Sequence, residues 1–206
     1  DALKLTLGAR YTNEVKDIRR KFAVGTPRFT LFDLPYGGVP DAKFNNFSPT
    51  ATVSYEASDN VNVYARWARG YKSGGFNGET DVSALIGRPF NCTSAPGKDS
   101  ELCNPYRPEK VDSYELGLKT KLADGKLIFN VAGFWDEHKE IQLSVFTASG
   151  AAASVVLNAA AARIRGLEFE AVARPVSGLT INGSLAFLDA DYKRFIDAGV
   201  DVAQNV

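Results

Sequence analysis

The sequence predicts an all-β fold, an antiparallel up-and-down meander that forms part of a large transmembrane β-barrel. Three observations predict it. Apolar and polar residues alternate with a period of two through most of the chain, so each strand has two faces that meet different solvents. Connections alternate between short turns and long links. Some alternating runs exceed the roughly 9–11 residues that a strand needs to cross a bilayer, and aromatic residues fall near their ends.

In the first run Leu3, Leu5, Leu7, Ala9 and Tyr11 take one face, and Lys4, Thr6, Gly8, Arg10 and Thr12 the other. Phe47, Ala51, Val53 and Tyr55 then oppose Ser48, Thr50, Thr52 and Ser54. Val61, Val63, Ala65 and Trp67 oppose Asn62, Tyr64 and Arg66. Tyr114, Leu116 and Leu118 oppose Ser113, Glu115 and Lys119. Leu127, Phe129, Val131 and Trp135 oppose Lys126, Asn130 and Asp136, in a run that extends nearly unbroken from Lys126 to Val145. Leu167, Phe169, Ala171 and Ala173 oppose Glu168, Glu170 and Arg174. Leu179, Ile181, Leu185 and Phe187 oppose Thr180, Asn182 and Ser184.

Short turns fall at Ser58-Asp59-Asn60, Ala123-Asp124-Gly125 and Pro175-Val176-Ser177-Gly178. Asn and Gly tolerate positive φ and Pro presets a turn, which is hairpin chemistry. The links near Gly25–Lys43, Ser73–Arg107 and Thr147–Ser154 are longer. In a meander every second connection shares an edge, so short turns collect on one edge and long links on the other, as in outer-membrane barrels. Alternation alone equally fits a soluble β-sandwich or barrel with its apolar faces inward. Loop asymmetry, strand length and the girdle candidates Tyr55, Tyr114 and Trp135 point to the membrane. In that reading Phe129 and Val131 face lipid and Asn130 faces the lumen.

Composition narrows the function. The 24 basic residues balance the 24 acidic ones, which gives no basic face for nucleic acid. The best apolar stretch, Ala151 to Ala162, carries Ser154 and Asn158 and is too short for a membrane helix of roughly 20 residues. Its Ala-rich run is the one stretch of small helix-forming residues, broken by Ser154-Val155-Val156. No cap precedes a sustained helical period. The chain has no Met and opens inside an alternating stretch, so it reads as a mature or excised fragment.

Three stretches carry a family resemblance. They are Tyr64-Ala65-Arg66-Trp67-Ala68-Arg69-Gly70-Tyr71-Lys72-Ser73-Gly74-Gly75-Phe76-Asn77, then Pro105-Tyr106-Arg107-Pro108-Glu109-Lys110-Val111-Asp112-Ser113-Tyr114-Glu115-Leu116-Gly117-Leu118-Lys119, then Asn158 with Arg163-Ile164-Arg165-Gly166-Leu167-Glu168-Phe169-Glu170. With the opening Leu5-Thr6-Leu7-Gly8-Ala9-Arg10-Tyr11, they resemble the barrel of TonB-dependent outer-membrane receptors. The resemblance implies a plugged barrel of about 22 strands in the outer membrane of a Gram-negative cell. It also implies energised uptake of a scarce nutrient such as a ferric siderophore, driven by an inner-membrane complex that acts through an N-terminal segment. Residues 1–206 are read as a partial barrel domain without the plug, that coupling segment or the remaining strands.

On this reading Arg10, Arg66, Glu115, Lys119, Glu168 and Glu170 line a wet lumen. Glu168 and Glu170 share a face roughly 6–7 Å apart, but no pocket or partner motif makes them an acid/base pair. No enzyme activity, cofactor or metal is expected, because His138 has no ligand partners at metal-binding spacing. Gly74-Gly75 reads as a turn that permits positive φ and close backbone approach. Cys92 and Cys103 share the longest link, where an oxidising compartment makes a local disulfide reasonable. Tyr71, Phe76, Phe90, Tyr106 and Arg107 are the candidates for ligand contact. The rival functions are a passive porin or structural barrel, and a soluble β-rich binding or assembly module.

Overall fold

The structure, a computed structural model, describes residues 2–24, 30–34, 41–77, 105–147, 153–197, 200–201 and 203. Strands β1 (Leu3–Asp17), β4 (Asp41–Ser58), β5 (Val61–Lys72), β6 (Glu109–Leu122), β7 (Leu127–Thr147), β8 (Ala153–Ala173), β9 (Ile181–Asp197) and the short β10 (Val200–Asp201) form one sheet. Each pairs antiparallel with the next. Strands β2 (Arg20–Val24) and β3 (Thr30–Leu34) form a separate hairpin within the link from β1 to β4.

The meander has the expected two edges. The turns at 59–60, 123–126 and 174–180 share one, and the longer links share the other. Ala123, Asp124 and Gly125 all have positive φ, of 51°, 53° and 82°, and Gly125 N–H closes the turn onto Leu122 O at 3.1 Å. Gly178 (φ 81°) serves the turn after β8.

The register assembles the alternating residues into continuous rows. Leu5, Val53, Ala65, Leu116, Gly133, Leu167 and Phe187 are successive cross-strand neighbours across seven strands. The next row toward the turns contains Leu118, Val131, Phe169 and Leu185. The next row toward the loops contains Trp67, Tyr114 and Trp135. Phe129 and Val131 lie on this apolar face, whereas Asn130 sits on the other, between Lys119 and Glu170. Tyr55 lies toward the turn edge of β4, away from Tyr114 and Trp135, so the aromatics fall at both ends of the apolar belt.

Large apolar side chains on this face are exposed, among them Leu7 (70%), Leu116 (63%) and Leu185 (57%). A water-soluble monomer rarely leaves so continuous an apolar surface bare. In a bilayer the same surface is already in its preferred solvent. The buried apolar residues among those described, Phe44, Val155, Ala159 and Ala160, gather at the loop edge instead.

One expectation holds and another needs correction. The Ala-rich run forms no helix, as its break at Ser154-Val155-Val156 implied: residues 153–173 are one strand. Ala160 is fully buried and Ala159 nearly so, and small side chains there admit close neighbours on both faces. The Gly74-Gly75 pair adopts no positive φ and is no free turn. Gly75 bridges Tyr106 through two backbone hydrogen bonds, at 2.7 and 3.2 Å. A Cβ on Gly74 would overlap the Tyr106 carbonyl and the Phe44 ring, so close approach is what demands glycine.

On the polar face the Tyr64 ring covers Gly117 and its hydroxyl donates to Glu115. A methyl at position 117 would overlap that ring. Gly117→Ala is expected to destabilise the full-length protein in vesicles by about 1–3 kcal/mol, as overpacking does. Tyr64→Ala in the same background should remove that cost. An equal cost with and without the ring refutes this account.

Candidate functional site

The polar residues singled out at the link ends converge on the loop edge. Loopward of the Thr50–Ala68 pair, β4 and β5 no longer pair. Tyr71, Ser73, Arg10 and Glu14 line a cleft there of about 440 Å³. Lys16 on β1 crosses to the far side of this gap, donating to Gly74 O at 2.7 Å. Its ammonium also lies 5.6 Å from the Phe44 ring centre and 3.3 Å from Glu14.

The roots of the 78–104 link are fastened to β7 and β8 by three side-chain amides. Asn77 accepts from Val156 N–H at 2.7 Å and donates to Val156 O at 2.9 Å. It thereby imitates a neighbouring strand at a point beyond the Ala160–Phe195 pair that ends the β8–β9 ladder. Asn158 accepts from Arg107 N–H at 2.6 Å and donates to Arg107 O and Glu140 O, both at 2.8 Å. Gln142 donates to Ser73 O at 2.9 Å and Arg107 O at 3.1 Å, and its own N–H reaches Glu109 at 3.1 Å.

Glu140 has a φ of 57° at an irregularity where the β7–β8 register shifts between His138 and Ile141. The bulge turns its backbone carbonyl toward Asn158. Its carboxylate lies between two guanidiniums, Arg107 at 2.9 Å and Arg194 at 3.6 Å. His138 Nδ1 stands 4.0 Å from Glu109, which Lys72 approaches to 3.9 Å.

The second electrostatic feature lies loopward of the aromatic row, outside the apolar belt. Arg69 donates to Asp112 at 2.7 Å, and Lys139 approaches the same carboxylate at 3.4 Å. Hydrogen bonding from Arg69, above all, holds the buried Asp112 carboxyl below its usual range against the opposing effect of burial.

Among the ligand-contact candidates, Tyr106 and Arg107 are built into the loop roots, and Phe76 directly follows Gly75, the backbone partner of Tyr106. Tyr71 lines the separate cleft. Phe90, Cys92 and Cys103 lie outside the described residues. Glu168 and Glu170 are exposed, neighbour Ala132 and Asn130 in the register, and together line a polar cleft of about 580 Å³ with Tyr64, Glu115 and Lys119. Asn77, Gln142, Glu140 and Lys16 were missed as site residues. A polar residue within a run of small apolar ones marks Asn158, but none of these four carries that signal.

An apolar sheet face exposed across seven strands, short turns at one edge and hydrogen-bonded loop roots at the other define a transmembrane barrel wall of the outer-membrane type. The TonB dependent receptor-like β-barrel family matches residues 1–205, and the chain belongs to that family, whose barrels reside in the outer membrane. The metal-pseudopaline receptor CntO of Pseudomonas aeruginosa is 26% identical over 144 residues, covering 70% of this chain and 17% of that protein. The ferric yersiniabactin uptake receptor FyuA of Yersinia pestis shares the fold with a TM-score of 0.67 at 18% identity, over 93% of this chain and 25% of that one. The ferric-catecholate import receptor Fiu of E. coli K12 gives 0.61 at 18% identity, over 95% and 26%. The chain thus spans about a quarter or less of the length of these relatives, which are receptors rather than enzymes.

Proposed function

We propose that this chain is part of the barrel wall of a receptor that takes up a scarce nutrient, such as a ferric siderophore or another metal chelate, at the expense of inner-membrane energy. The observation that carries the reading is the family match over nearly the whole chain. The names of the relatives support it, since they are receptors for metal chelates. In this reading residues 1–206 contribute a sector of the barrel. A plug domain and further strands complete it, because an open sheet in lipid would leave backbone edges unpaired. An N-terminal segment couples the plug to the inner-membrane complex.

Arg107, Tyr106 and Phe76 are the wall contacts for the cargo, with Tyr71 and Phe90 as further candidates. Deleting the gene for the full-length receptor should abolish uptake of one labelled metal chelate from a panel, and collapsing the inner-membrane proton gradient should do the same in the wild type. Flux that persists without the gradient would instead identify a passive porin. A disulfide between Cys92 and Cys103 is part of the proposal. It would stabilise by roughly 3 kcal/mol in the chain-entropy account. Mass spectrometry of fresh, unreduced receptor should find one intramolecular link; two free thiols would refute it.

A further inference from the structure

The wall is not continuously paired between β4 and β5. Loopward of Thr50 both strands run on, β4 along β1 to Asp41 and β5 along β6 to Lys72, yet they pair with each other only from Thr50 toward the turns. The sequence supplies a cause. In β4 the even residues turn their backbone groups toward β1, as Glu56 N–H does in reaching Ala2 O, so the odd ones face β5. The register of Thr50 with Ala68 would make Pro49 and Arg69 the next pair, and Pro49 has no N–H to give. The break begins just loopward of Trp67, where water reaches the backbone. Within the hydrocarbon it would be costly.

Loopward of Pro49 the wall is therefore two bodies. One is a leaf of β1 and β4, paired without interruption from Leu3 with Tyr55 to Asp17 with Asp41. The other is β5 to β8, where the Asn77, Asn158 and Gln142 amides fasten the loop roots. Among the described residues, the polar contacts between the two fall on Ser73 and Gly74. Lys16 donates to Gly74 O at 2.7 Å, and Glu14 approaches the Ser73 hydroxyl. The Phe44 ring closes against the same Gly74.

Ser73 and Tyr71 line the cleft at this seam and bury hydroxyls that make no well-formed hydrogen bond. Buried polar groups left unpaired favour a state that wets them, so Lys16 carries much of the closure. The rest of the lining is polar as well, with Arg10, Thr12, Ser48 and Arg69. Arg10, Thr12 and Ser48 belong to the lumen face, whereas Arg69 continues the outer row beyond Trp67. The cleft thus reaches both faces of the wall.

We propose that the leaf swings about Pro49 and that the seam opens as a side entrance for hydrophilic solutes, between the outside and the lumen, with Lys16 as its latch. The charged and hydroxylated lining suits water and polar cargo and disfavours acyl chains. The inference rests on the barrel-wall reading and is independent of which nutrient is carried.

The test uses the full-length receptor in outer-membrane vesicles, with Cys92 and Cys103 replaced by serine. Spin labels at Lys43→Cys on the leaf and Lys110→Cys on β6 report the seam by pulsed electron paramagnetic resonance. Labels at Glu56→Cys and Lys121→Cys span the same strands where they pair. The seam pair should give two distances and the turn-edge pair one. Lys16→Met keeps the stem and loses the donor, and should raise the long-to-short ratio about tenfold, as loss of a charged hydrogen bond does. Pro49→Val restores the N–H and should lower the ratio about fivefold. Labelling of Ser48→Cys by a small charged thiol reagent should be fastest in Lys16→Met and slowest in Pro49→Val. A single seam distance that Lys16→Met leaves unchanged, or equal labelling of Ser48→Cys in Lys16→Met and Pro49→Val, overturns the proposal. If Pro49→Val does not assemble, Lys16→Met against the wild type decides by the same two readouts. A turn-edge pair without a fixed distance would sink the barrel reading itself, and the seam with it.

Discussion

Replacing Leu185 by arginine is expected to destabilise the full-length barrel in lipid by about 2–4 kcal/mol, the cost of a cation on the lipid face near the bilayer midplane. Leu185 lies on the apolar face of β9 between Phe187 and Ile181, with Phe169 as its cross-strand neighbour. It is 57% exposed in the chain itself. That exposure makes the experiment decisive. On a water-soluble protein, a substitution at so open a surface position usually changes stability by within about 0.5 kcal/mol. In hydrocarbon the same guanidinium has no water. Ser184→Arg is the matched comparison, because Ser184 faces the other way and its cross-strand neighbour is Glu170. It should be tolerated. Leu185→Ala controls for lost side-chain contact. The measurement is unfolding from lipid vesicles, backed by the fraction of heat-resistant barrel on gels. If Leu185→Arg and Leu185→Ala behave alike in vesicles, the apolar face does not meet lipid.

Strands with one wet face and one apolar face were legible because alternation is a direct record of two solvents. The long run from Lys126 to Val145 agrees closely with β7, and the three short turns lie where Gly and Asn chemistry placed them. Legibility failed where the two faces are alike. In β8 the alternation of Leu167 to Ala173 fades toward Val155, Ala159 and Ala160, which are all buried, so the strand reads there as an Ala-rich segment. The β2–β3 hairpin was passed over inside a link, although Phe22 and Val24, then Thr30, Phe32 and Leu34, alternate around Gly25-Thr26-Pro27. The site was less legible than the fold. Arg107 and Tyr106 were picked out as loop residues. Yet what fixes Arg107 is Asn158 and Gln142, and what fixes Tyr106 is Gly75, all more than 30 positions away in sequence, and only strand pairing brings them to the loop roots.

Those amides give the second large effect. Asn158→Ala is expected to loosen the roots of the 78–104 link more than any other single side-chain truncation at the loop edge. Asn158 is 4% exposed and makes three hydrogen bonds, with Arg107 N–H, Arg107 O and Glu140 O. Arg107 O keeps Gln142 as a donor. The Arg107 N–H and the Glu140 carbonyl lose the partner seen here, and each buried polar group left unpaired costs about 1–3 kcal/mol. Glu140 already holds a positive φ as a non-glycine residue, a conformation that persists only where its surroundings fix it. Gln142→Ala should cost less, because Arg107 O still receives Asn158 Nδ2. Hydrogen–deuterium exchange on the full-length receptor separates the two. Exchange at residues 105–109 and 140–144 should rise strongly in Asn158→Ala and modestly in Gln142→Ala, while β4 and β5 near the turn edge stay protected. Asn158→Asp keeps the acceptor for Arg107 N–H but loses both donations, so it should fall between wild type and Asn158→Ala at residues 105–109. If exchange in Asn158→Ala matches the wild type, the loop roots are held by something other than this amide, and Arg107 is not fixed by it.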